Sequence, residues 1–130
     1  MSDGGQQTPV AIALALLRGI EAGDIAAVRA TLSPAASWEI PGFGAYGREA
    51  FLESLAHTIA LSHSRRLKVR HTTAEANRVA VEAAGEFRFH DGRDYNNRYH
   101  YLFEFDDGLI IRACEYMDTA LAREVFGTRG

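Results

Sequence analysis

The chain has 130 residues, 47% of them hydrophobic and 24% charged, with a formal net charge of −3. That length predicts one domain over residues 1–130 with no room for a second, and the composition is that of an ordinary globular protein. The acidic balance argues against general binding to nucleic acid or to anionic membranes.

Cys114 is the only cysteine, which excludes an intramolecular disulfide and reads as a buried structural thiol. The apolar run Val10–Leu17 follows a leader without basic residues, so it does not resemble a secretory signal, and it is too short to span a bilayer. The expected location is the cytoplasm.

In chain order, residues 1–7 read as a mobile leader, and Thr8-Pro9 as an N-cap followed by proline in the first helical turn. Val10, Leu14, Leu17 and Ile20 form the apolar stripe of this helix, which Gly23 ends. Asp24 caps a short second helix carrying Ile25, Val28 and Leu32, and Ser33-Pro34 stops it. Ala36–Ile40 is a strand candidate, and Pro41–Gly47 is a glycine-rich loop. A third helix is expected from Arg48 to Ser62, burying Phe51, Leu55 and Ile59. The period then changes to alternation, predicting strands at Leu67–Thr73, Arg78–His90, Asp94–Phe105 and Leu109–Met117. Leu121–Phe126 closes the chain as a helical turn or two.

Two turns set a trial register. Asp91-Gly92 suits a two-residue type I′ hairpin, and Asp106-Asp107-Gly108 a three-residue loop closed by a left-handed glycine. Glu82 would then face Tyr101, while Tyr101, Tyr99 and Asn97 would face Ala113, Glu115 and Met117 on the last strand. One sheet face gathers Glu82, Asn97, Tyr99, Tyr101, Phe103, Ala113, Glu115 and Met117. The other carries Val79, Val81, Phe87, Phe89, Arg98, His100, Leu102, Cys114 and Tyr116. Neither face looks freely solvated, so helices are expected on one and a partner subunit on part of the other. A slip by one residue would exchange the faces of a strand.

The order of helices, glycine-rich loop and long meander resembles the nuclear transport factor 2-like superfamily, and within it the SnoaL-like branch of ketosteroid isomerases, polyketide cyclases and limonene epoxide hydrolase. The resemblance is carried by Glu21-Ala22-Gly23-Asp24, Trp38-Glu39-Ile40-Pro41, Ala45-Tyr46-Gly47-Arg48-Glu49, Tyr95-Asn96-Asn97-Arg98-Tyr99 and Asp107-Gly108-Leu109-Ile110 running into Glu115-Tyr116-Met117-Asp118. It implies an α+β fold: a cone-shaped, curved, antiparallel-rich sheet wrapped over three N-terminal helices and enclosing an apolar pocket, commonly as a homodimer. Ketosteroid isomerases place their proton-shuttling aspartate where this chain has Ile40. Their protonated aspartic donor and their helical tyrosine fall at Tyr101 and Leu16, so that route is not expected here. Glu82 and Glu115 resemble the two acids of limonene epoxide hydrolase. Its arginine position looks like Ala80, and its water-holding tyrosine and asparagine look like Ser37 and Glu39.

Glu115 is the leading candidate: in an aromatic cavity, desolvation would raise its pKa and make it a usable base near neutral pH. Its alternative is an ion pair with Arg98 or Arg112 at the sheet rim. Glu82 is the expected helper, with Tyr99 and Asn97 holding a carbonyl or a water; the alternative for Glu82 is a hydrogen bond from Tyr101. Tyr101, Trp38, Phe43, Tyr46, Met117 and Phe103 are expected to line or close the pocket. Asp118 falls on the other face and suits an N-cap.

Gly42-Phe43-Gly44-Ala45-Tyr46-Gly47 has the spacing of a dinucleotide fingerprint, but Pro41 and the antiparallel meander exclude it. Arg66, Lys68 and Arg70 alternate with Leu67 and Val69 as on the solvated side of an edge strand. The five histidines, His57, His63, His71, His90 and His100, lack metal-ligand spacing. The expectation is a cofactor-independent enzyme of isomerase, cyclase or hydrolase type, without metal, acting on a small hydrophobic oxygenated compound. A non-catalytic ligand-binding domain and a structural dimerisation module are the alternatives. No nucleic acid or membrane is expected as a partner.

Overall fold

The computed structural model describes residues 7–127; apart from Gln7, the expected leader lies outside the described residues. The helices are α1 (Pro9–Ala22), α2 (Ile25–Arg29), α3 (Arg48–Leu61) and α4 (Thr119–Phe126). The strands are β1 (Leu32–Ile40), β2 (Gly44–Gly47), β3 (Ser62–Glu75), β4 (Arg78–Phe89), β5 (Asp94–Asp106) and β6 (Leu109–Met117). They form one six-stranded mixed sheet in the order β2-β1-β6-β5-β4-β3, in which β1 runs parallel to β6. The fold is α+β, with the sheet curled and α1 to α3 preceding its long meander.

The starts of α1, α2 and α4 follow from their caps. The Thr8 hydroxyl accepts from the Ala11 N–H, the Asp24 carboxylate from the Ala27 N–H and the Asp118 carboxylate from the Leu121 N–H. Gly23 ends α1 in the left-handed region, at φ 71°. The buried face of α1 is rotated from the expected stripe, centring on Ile12, Ala13, Leu16 and Leu17, with Val10 and Leu14 at its margin. Leu32 is a correction: α2 ends at Arg29, and Leu32 opens β1, four residues before the expected strand. A register irregularity between Leu32 and Ser37 accommodates Pro34, which has no N–H to give a ladder.

The two hairpins exchange the turn types expected of them. At the β4–β5 connection the Phe89 N–H donates to the Arg93 carbonyl at 2.9 Å, and the Gly92 N–H to the Phe89 carbonyl at 3.1 Å, leaving His90, Asp91 and Gly92 in the loop. Only Gly92 takes a positive φ there, of 93°. Asp91 instead accepts the Arg93 N–H and Nε–H on its carboxylate, at 3.0 and 2.8 Å. At the β5–β6 connection Asp107 and Gly108 both have positive φ, 53° and 78°, which is the two-residue I′ geometry.

The consequences for the faces differ. The β4–β5 register moves by one residue, so that Val81 rather than Glu82 pairs with Tyr101. Every β4 side chain therefore changes face: Val79, Val81, Phe87 and Phe89 are buried, and Glu82 stands on the outer face opposite His100. The β5–β6 register moves by two: the two-residue turn shifts it by one, pairing Phe105 with Ile110, and Ile111, an extra residue before the pair Glu104–Arg112, shifts it by one more. Two steps preserve the side-chain parity. Asn97, Tyr99, Tyr101, Phe103, Ala113, Glu115 and Met117 consequently share one face as expected, now with Tyr101 opposite Glu115 and Tyr99 opposite Met117.

The core lies between this inner face and the helices, with Leu16, Leu17, Leu52, Val79, Val81, Phe103 and Ile110 buried. Edge strand β3 exposes Arg66, Lys68 and Arg70, as its alternation predicts. Its open backbone is partly covered by α1: Arg18 donates to the Leu67 carbonyl and Glu21 accepts the Leu67 N–H, at 2.8 and 2.6 Å. No helix among the described residues is long and apolar enough to cross a membrane.

Candidate acid–base site on the inner sheet face

Period-two alternation along β5 buries Tyr95, Asn97, Tyr99, Tyr101 and Phe103 while Asn96, Arg98 and His100 point outward. The rings of Tyr99, Tyr101 and Phe103 stack in sequence, with centroids 5.5 and 5.6 Å apart. Glu115 stands opposite Tyr101 on β6. One strand further, Trp38 of β1 pairs with Ala113 and donates its Nε1–H to Glu115 Oε1 at 2.9 Å. The indole is stacked on Phe51 of α3, centroids 3.8 Å apart and planes 10° apart, and meets Tyr101 and Phe103 edge-on.

No cation compensates Glu115 among the described residues. Arg112 pairs instead with Glu104 at 2.7 Å and Glu39 at 3.8 Å, and Arg98 is exposed on the outer face. Glu115 is half-buried as a residue, but protein crowds its carboxyl group. Desolvation pushes its pKa up to about 7, with the Trp38 hydrogen bond acting in the opposite direction. Burial raises the phenols of Tyr99 and Tyr101 well above their ordinary value, and the nearby Glu115 charge adds to both. They therefore stay protonated and able to donate.

The other expected site residues fall into distinct places. Glu82 does not share the face of Glu115, so the two acids are not brought together. Asn97 is on the correct face but already engaged. Its Nδ2 donates to the Tyr95 hydroxyl at 2.7 Å and the Asp118 carbonyl at 3.1 Å, and its Oδ1 accepts from the Arg98 and Asp118 N–H groups. Phe43, Tyr46 and Met117 are half-buried against the core, while Trp38, Tyr101 and Phe103 are buried in it. Asp118 caps α4.

Two residues were missed. Tyr95 has the same parity as Asn97 and Tyr99, so alternation alone places it on this face; its hydroxyl meets Met117 Sδ at 3.7 Å. Phe51 was recognised only as core, because no local pattern reveals its stacking on Trp38.

Two open grooves lie elsewhere. One, of about 480 Å³, runs between α1 and β3 beside Leu14, Arg18 and Leu67; the other, of about 530 Å³, lies beside Ile25, Arg29 and Leu52. Neither is lined by β5 or β6. Among the described residues no group of three or more His, Cys, Asp or Glu side chains is placed to hold a metal ion.

Solved structures of similar fold include TerC co-crystallised with polyporic acid, at 24% identity and TM-score 0.77, covering 90% of this chain and 97% of that one. IdmH of Streptomyces antibioticus, a candidate polyketide cyclase, aligns at 18% identity and TM-score 0.79, covering 93% and 99%. An epoxide hydrolase of M. tuberculosis resembling limonene epoxide hydrolase aligns at 20% identity and TM-score 0.77, covering 91% and 92%. No curated protein sequence matches significantly. The SnoaL-like domain model matches residues 13–113, which is most of the chain; the match spans β1 and β5 and ends within β6 at Ala113, before Glu115. The chain belongs to the SnoaL-like domain family.

Proposed function

We propose that the chain acts as one SnoaL-like domain, an enzyme that moves a proton on a small, uncharged, oxygenated compound, with Glu115 as the acid–base group. The observation that carries this reading is a carboxyl group without a countercharge, held by the Trp38 N–H and poised near neutrality. A group with a pKa of about 7 is present in both forms at neutral pH, which suits a residue that must take and return a proton.

In the proposed reaction ionised Glu115 removes a proton from an activated carbon or from a water. Tyr99 and Tyr101 donate hydrogen bonds to the substrate oxygen as it gains charge. The aromatic wall receives the apolar body of a planar substrate, with Trp38, Phe43, Tyr46, Met117 and Phe103 as proposed lining residues. Glu82 has no part, since it faces outward. Asn97 acts by holding Tyr95 and the start of α4 rather than by touching substrate. Isomerisation, aldol-type cyclisation and epoxide opening all need such a group, and the reading invokes no cofactor. The TerC co-crystal and the assignments of IdmH and the M. tuberculosis protein support a small planar or oxygenated ligand. The outer sheet face is proposed as a homodimer interface.

A second reading, a structural module without a ligand chamber, draws on the two grooves, neither of which is lined by Glu115. A panel of neutral quinones, cyclic ketones and epoxides separates the two readings. The enzyme reading expects saturable turnover of at least one class, lost in Glu115→Gln. Absence of both binding and turnover across the panel supports the structural module.

A further inference from the structure

We propose that Phe51 is a positioning residue for this site: by stacking on Trp38 it fixes where the indole N–H points, and so the hydrogen bond that Glu115 accepts. The inference rests on the reading of Glu115 as the acid–base group, and it extends that site to a helix no active-site expectation had included.

The geometry is specific. An indole on β1 can rotate about its side-chain torsions, and its single N–H reaches the carboxyl only over a narrow range of ring orientations. Two contacts restrict it. The Phe51 ring lies flat against one face at 3.8 Å and 10°, while Tyr101 and Phe103 meet the indole at 70° and 61°. Tyr101 and Phe103 stand on the strand next to Glu115, whereas Phe51 is the contact supplied by α3. Among the described residues no charged group orients Glu115: the titratable groups that feel its field are Tyr95, Tyr99 and Tyr101 of β5, all neutral near pH 7. A shift of the indole therefore transfers directly to the acid.

Trp38 is the only tryptophan, so its emission reports on the acid it touches without any need for turnover. The test is a pH titration of that emission in the wild type, Glu115→Gln, Phe51→Leu and Phe51→Tyr, each first shown to be folded by circular dichroism. Phe51→Met replaces the leucine variant if that one does not fold. The wild type is expected to show a step centred near pH 7 that is absent in Glu115→Gln. A charge-assisted hydrogen bond shifts a pKa by roughly one to two pH units, so its weakening in Phe51→Leu should raise the midpoint by about half of one or more. Phe51→Tyr, which keeps a flat ring, should restore the wild-type midpoint. An unchanged midpoint in folded Phe51→Leu overturns the role of Phe51 and leaves Glu115 in place. A wild type with no Glu115-dependent step near neutrality instead removes the acid–base reading itself.

Discussion

Trp38 Nε1 lies 2.9 Å from Glu115 Oε1, which gives a desolvated acid one directed donor and no cation among the described residues. A neutral donor only partly offsets the loss of water around the carboxylate, and the pKa settles near 7. Stability should follow. The folded-state pKa is raised above the unfolded value of about 4.5, so the native state binds the extra proton between those values. The stability due to this group is fully present below about pH 4.5 and is lost as pH rises through about 7. Urea unfolding of Glu115→Gln should accordingly show a smaller loss of stability between about pH 5 and 8 than the wild type.

Gly85 makes room for a site residue. A Cβ built there would come within 2.5 Å of Tyr99 Cε2, on the inner face. Gly85→Ala should displace the Tyr99 ring and cost about 1–3 kcal/mol by overpacking. Thermal melts measure the cost, and tyrosine ring chemical shifts locate the disturbance at Tyr99.

Asn97 joins the end of β6 to α4 through both backbone groups of Asp118. Asn97→Ala should cost about 2–3 kcal/mol, since it leaves a buried phenol and a backbone pair short of partners. Amide hydrogen exchange should quicken first at Asp118 and in α4, ahead of the sheet centre. Equal quickening everywhere would argue against this local role.

Arg65 binds the carbonyls that end two helices, Ile20 of α1 at 3.2 Å and Ile59 of α3 at 3.5 Å, and also reaches Ser62. Its charge complements both C-terminal dipoles. Arg65→Ala should lower stability by about 2 kcal/mol. Arg65→Lys should recover little of it, because one ammonium cannot copy the fork. Chemical denaturation of the three proteins tests the ranking.

The fold was legible because its signals are local and repeated: Thr8, Asp24 and Asp118 as caps, and alternation through β4 to β6. The site was half legible. Glu115, Tyr99 and Tyr101 reach one face because an error of two residues in the β5–β6 pairing preserves parity. Glu82 was misplaced because Asp91 satisfies the turn with its carboxylate instead of entering the left-handed region, and the resulting three-residue loop moves β4 by one. The parallel pairing of β1 with β6, which brings Trp38 to Glu115, joins segments far apart in sequence and has no local pattern to announce it.

The central claim is that Glu115 exchanges its proton near neutral pH in the folded chain. Carbon-13 labelling of the glutamate side chains, with Glu115→Gln to assign the signal, allows its carboxyl carbon to be followed across the pH range. The expected Glu115 midpoint is near 7, well above the ordinary carboxylate range. A Glu115 midpoint in the ordinary carboxylate range, near 4.3, would contradict it.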